Sequence, residues 1–241
     1  NNKESDWEKE KLKLANEIKE ITLVWNITYD ERCSLHEKNI YCWDDPKLLP
    51  ELKESKKKNI QEQMIHMNKT DDILIYPRKN VSNPLREVLK EEEKNNIFFD
   101  VESFLTIDEK VDFFNKKDEK YNNPILAILG FFYKESFYDF TIQKYDIKDE
   151  KVIVKNFSDK LWSIYNEYGR INIFHWGHAE CKYMEYIHEM YNDIDFPEYI
   201  LVDLLDHFRL EPIIVQGVFQ FGLKSIGKAL YNNGLIETTW D

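Results

Sequence analysis

The chain is short of cysteine, glycine, proline, long apolar runs and positive charge, and each shortage removes a class of protein. Its three cysteines, Cys33, Cys42 and Cys181, are odd in number and unpatterned. That describes reduced thiols and an intracellular setting rather than a disulfide framework. No apolar stretch approaches the roughly 20 residues of a membrane span, so no membrane partner is expected. The opening Asn-Asn-Lys-Glu-Ser-Asp-Trp has no signal-peptide pattern and no initiator Met, as expected for part of a longer multidomain protein. A net charge of −12 argues against nonspecific coating of duplex nucleic acid. It does not exclude a carboxylate-rich metal site or a local basic patch. The scarcity of Gly and Pro beside abundant Asn, Lys, Ile and Tyr is the bias of an AT-rich genome and carries no mechanism.

What is present is enough for a core: 42% of the 241 residues are hydrophobic. Residues 5–20 place Trp7, Leu12, Leu14, Ala15 and Ile18 among Lys and Glu, the pattern of an amphipathic helix. Short helices are expected over 21–45 and a polar helix or linker over 51–69. The Lys56–Lys58 run there reads as a solvated face or a nucleic-acid contact. Residues 70–95 read as a connector, with a boundary near 94. Beyond it, strands are expected at 98–104, 125–133, 137–145 and 171–174, with Lys134-Glu135-Ser136 as a turn and 106–123 as a charged loop. Helices are expected at 149–167, stopped by Gly169, and at 179–191 and 222–233; 199–205 reads as a strand or strand-to-helix segment. Three strands in series followed by alternating helices and strands predict an α/β fold, a mixed sheet flanked by helices in the ribonuclease H-like order.

Asp100 and Glu102, in Ile97-Phe-Phe-Asp-Val-Glu102, carry the sharpest signal. On a strand the i, i+2 spacing turns both carboxylates to one face. The run is nearly continuous in apolar character, which favours a strand covered on both faces. Adjacent buried carboxylates repel, and a divalent cation removes that cost; two-metal phosphodiester chemistry uses this arrangement. An edge strand with its polar face in water is the competing account.

Further acids follow the later strands. Glu180, in Phe174-His-Trp-Gly-His-Ala-Glu180, stands where a strand gives way to a helix, either as a third metal carboxylate or as a complement to the helix dipole. His175, His178 and Cys181 could form a zinc site, but no second Cys/His pair accompanies them; His175 or His178 could instead contact phosphate or orient water. Asp203 ends an apolar run and reads equally as a site acid or a helix cap. Lys224 and Ser225 could bind phosphate at a helix start or serve only to solvate it.

These segments together, Asp100-x-Glu102, His175-Trp-x-His178-x-Glu180, Val202-Asp-Leu204 and Phe221-x-Leu-Lys-Ser225, resemble the ribonuclease H-like domain of DnaQ/YprB type. The similar form is the one fused to RecB-family nucleases, including versions predicted in large DNA viruses. The resemblance spans roughly 95–241, and residues 21–45 resemble the helix-hairpin-helix-like segment that precedes it. The expected division is therefore a helical N-terminal extension over 1–94, with its connector at 51–94, and a nuclease domain over 95–241. The resemblance implies a 3′→5′ exonuclease of the DEDD kind acting on nucleic acid, DNA before RNA. Asp100 and Glu102 would be its first motif, and Glu180 would stand where the family usually has Asp. Mg²⁺ or Mn²⁺ would be held by Asp100, Glu102, Glu180 and Asp203, with His175 or His178 assisting. The family's last acid is missing before Asp241, so the domain is expected to be truncated at its C-terminus. The alternative is an inactive module of the same fold that binds nucleic acid or scaffolds a larger protein.

Overall fold

A computed structural model describes residues 6–70, 74–77, 93–104, 125–144, 146–210 and 212–237. In chain order these form α1 (Asp6–Glu17), α2 (Tyr29–Glu37), α3 (Leu48–Glu51), α4 (Lys56–Lys69), β1 (Ile75–Tyr76), β2 (Asn96–Phe104), β3 (Ile125–Tyr133) and β4 (Ser136–Thr141). Then follow α5 (Ile147–Tyr168), β5 (Ile171–His175), α6 (His178–Met190), β6 (Tyr199–Asp203), α7 (Leu204–Leu210), β7 (Ile214–Val215) and α8 (Leu223–Asn232). They fall into two compact units, Asn1–Val81 with His207–Asp241, and Ser82–Asp206. Among the described residues no helix is long and apolar enough to cross a membrane.

The first unit gathers α1 to α4 with the C-terminal segment. Thr28 and Glu31 form a reciprocal capping box that starts α2. The core holds Ile21, Val24, Leu35, Ile40, Trp43, Leu48 and Ile65, with Phe219 packed against it. Phe219 lies 4.8 Å from the Trp43 ring, and Phe221 meets Trp25 edge-on at 5.3 Å. The β1 and β7 strands pair antiparallel. These contacts draw His207–Asp241 to the N-terminal unit, whereas the sequence pattern had joined it to the sheet domain. Within 21–45 the structure has one 3₁₀ turn (Ile21–Leu23) and one α-helix, not a helix pair.

The second unit is α/β. Its five-stranded sheet has the order β4-β3-β2-β5-β6, antiparallel across β4, β3 and β2 and parallel across β2, β5 and β6. The long helix α5 starts where the Asp146 side chain accepts the Lys148 N–H and stops at Gly169, whose φ of 80° suits glycine. Its buried Ile153, Val154, Phe157, Leu161 and Ile164 recur at helical spacing and cover one face of the sheet. Phe157 is fully buried and touches the rings of Phe99, Phe131, Phe140 and Phe196. Met184 and Ile187 of α6 enter the same core. Glu150 is buried in it too, accepting the Leu126 N–H at 3.1 Å and the Tyr186 hydroxyl at 2.8 Å; burial pushes its carboxyl up.

β3 has the bounds the pattern predicts. β4 ends at Thr141, four residues before the expected end, because the Gln143 and Lys144 N–H groups turn to the Asp149 carboxylate. The expected loop at 106–123 lies outside the described residues, as does most of the connector between Thr70 and Lys94.

Candidate functional site

Side chains alternate along β2, and the alternation decides where the acids go. Ile97, Phe99 and Val101 face the core, while Phe98, Asp100 and Glu102 are exposed. The apolar run is therefore covered on one face, not two. β2 pairs with β5 only through Asn96, Ile97 and Phe98, and β5 ends at His175. Asp100 and Glu102 thus lie past the point where their parallel neighbour stops. Opposite them stand Gly130 and Ile128 on β3, then Asp139 and Thr141 on β4. A bulge after Glu102 breaks the register. These residues and Phe137 line a shallow depression of about 250 Å³. At Gly130 the Phe137 ring lies over the bare backbone: a Cβ would meet it at 2.9 Å and make the ring shift.

Asp139 was not among the acids singled out from sequence. Its signal was the hairpin: with Lys134-Glu135 as a two-residue turn, both at positive φ, Gly130 must face Asp139.

The second group sits at the ends of β5 and β6. Gly177, at φ 105°, turns the chain from β5 into α6. Its N–H donates to Asp203 Oδ1 at 2.9 Å, which also accepts the N–H groups of Leu205 at 2.9 Å and Asp206 at 3.4 Å. Asp203 therefore caps α7 through Oδ1. His175 Nδ1 donates to the Gly177 carbonyl at 2.8 Å, which makes Nε2 the unprotonated nitrogen, facing Cys181 Sγ at 3.4 Å. Burial lowers the His175 pKa and raises that of Cys181, so the pair is neutral imidazole and thiol.

Glu180 lies in the first turn of α6 and is buried, with Oε2 unpartnered. The nearest basic nitrogen, His175 Nδ1, is 3.8 Å away and committed to Gly177. Burial pushes the Glu180 carboxyl up to about 7, and the charges of Asp100 and Asp203 push the same way. Of the two β2 acids, Asp100 is the one whose charge reaches Glu180. The Tyr183 hydroxyl, 2.6 Å from Ser103 Oγ, ties α6 to β2 beside Glu102.

The structure brings Glu180, His175, Cys181 and Asp203 together, with Asp100 near enough to perturb Glu180. His178 is exposed at the start of α6. Lys224 and Ser225 are exposed in the first turn of α8, in the other unit. Among the described residues no three His, Cys, Asp or Glu side chains form a group able to hold a metal, zinc included. Comparison with protein families, with curated proteins and with solved structures returns no match.

Proposed function

We propose that the Ser82–Asp206 unit is a ribonuclease H-like, metal-dependent nuclease module that hydrolyses phosphodiester bonds, as a 3′→5′ exonuclease on DNA. The observation that carries the reading is the buried Glu180 carboxyl, one oxygen unpartnered, in the field of Asp100 and Asp203. A buried acid among acids is destabilised until a cation or a proton neutralises it. The strand order supports the fold assignment: three antiparallel strands, then two parallel ones, with the Asp-x-Glu on the central strand.

The donor set is all oxygen, which suits Mg²⁺ or Mn²⁺. Asp100, Glu102 and Glu180 would hold the ion, with Asp203 as a further donor. When bound, such an ion activates water and stabilises the leaving oxygen of a phosphodiester. His175, a neutral imidazole fixed by Gly177, lies beside Glu180 and would assist the water or the scissile phosphate. The exposed His178 is free to contact phosphate.

The test is cleavage of 3′-labelled single-stranded DNA in Mn²⁺ by wild type and Asp100→Asn. Cleavage that disappears in the variant supports the assignment; equal cleavage by both contradicts it. A second reading, the same module without catalysis, is favoured by the lack of a ready-made three-ligand group among the described residues. It predicts no cleavage by wild type.

A further inference from the structure

On the sheet face away from α5, exposed at β2 to β4 but closed over Phe174 and Val202 on β5 and β6, side chains stand in rows set by strand register. Phe98 stands opposite Phe132, and Phe132 opposite Phe137. Phe98 is also the register partner of Phe174 on β5, and the two rings stack with centroids 5.3 Å apart. The next row is Asp100, Gly130 and Asp139, and the one after it Glu102, Ile128 and Thr141. Phe98, Phe132 and Phe137 are 47%, 45% and 65% exposed. Neighbouring exposed aromatics of this kind mark interaction surfaces.

Among the described residues no cation neutralises the acids beside them. Asp100 accepts from the Val101 N–H and Asp139 from the Thr141 hydroxyl; neither they nor Glu102 has an ion pair among the described residues. Aromatic faces attract cations, and carboxylates one row away attract them again. Rows two residues apart along a strand are separated by about 6.8 Å, the spacing of alternate side chains on an extended peptide. An Arg or Lys stem can lie along a ring while its head reaches the acids.

We propose that this face docks a cationic protein segment, extended and carrying Arg or Lys over Phe98, Phe132 and Phe137, with its charges on Asp100, Glu102 and Asp139. Single-stranded nucleic acid also stacks on exposed aromatics. It would bring phosphates beside three bare carboxylates, and charge decides against it while no cation is bound. The inference stands apart from the nuclease reading but shares Asp100 and Glu102 with it. A divalent cation and a basic segment would compete for these acids.

The test is an anisotropy titration of the full chain in EDTA with a labelled peptide of alternating Arg and Ser. A Glu-Ser peptide and an oligothymidylate serve as comparisons. The Arg peptide is expected to bind, the Glu peptide not. Phe132→Ser with Phe137→Ser should weaken binding by about tenfold, and Asp139→Asn, an exposed change that leaves the core untouched, by about threefold. Arg-peptide affinity unchanged in both variants would overturn the proposal, as would tighter binding of the oligothymidylate in EDTA. Failure of the nuclease reading reads out separately, as absence of Mn²⁺-dependent cleavage.

Discussion

On β2, Ile97, Phe99 and Val101 point into the core beneath α5, while Phe98, Asp100 and Glu102, one residue out of step, stand on the open face. The two faces share a backbone, and their substitutions should read out in different assays. The covered face is close-packed aromatic and aliphatic carbon, where lost volume costs stability. The open face is rings and acids in rows, where lost groups cost binding or chemistry. A strand period of two lets one segment serve both ends. Glu180 is the exception that joins them: it is buried, yet its charge feels Asp100.

The largest contrast is between two phenylalanines. Phe157→Ala removes the ring at the centre of the covered face and should cost about 3–5 kcal/mol in urea unfolding. Phe137→Ala, on the open face, should cost less than about 1 kcal/mol. Similar losses for both would mean that the open face is packed in solution.

Glu180→Gln sharpens the exception. The folded carboxyl titrates at about 7 against an ordinary 4.5. Between those values the folded protein keeps a proton that the unfolded chain has released. The contribution of this group is therefore full below pH 4.5 and lost as pH rises through 7. The variant should gain on the order of 2–3 kcal/mol over wild type at pH 8 and nothing at pH 4. A difference independent of pH would remove the claim that the carboxyl is held against its charge.

The smallest effect tests the device that sets the rows. Glu135 occupies the β3–β4 turn at φ 63°, where a side chain is strained. Glu135→Gly should stabilise by about 0.5–1 kcal/mol and leave the pairing of Gly130 with Asp139 intact by amide exchange. Destabilisation would mean that the Glu side chain holds the turn.

Much of the sheet unit was legible because its signals are local. β3 is a nine-residue apolar run bounded by turn residues, and α5 repeats its apolar residues at helical spacing up to a glycine. The Asp-x-Glu and Glu180 were visible as acids at strand ends. What was hidden depends on partners distant in sequence. Phe98 made β2 look buried on both faces, because an exposed ring and a buried one have the same letter. Asp139 carries no signal of its own in the sequence; hairpin register puts it across Gly130 from Asp100. The assignment of His207–Asp241 to the first unit rests on Phe219 and Phe221 meeting Trp43 and Trp25. No periodicity announces that pairing. Asp203 was open between site acid and cap, and the structure shows the cap on one oxygen.

Whether the β2 acids and Glu180 bind a divalent cation is decided by calorimetric titration of Mn²⁺ into wild type and Asp100→Asn at pH 8. There the Glu180 carboxyl is ionised. Saturable binding is expected in wild type and its loss in the variant. Absence of binding in wild type, or equal binding in both, would contradict it.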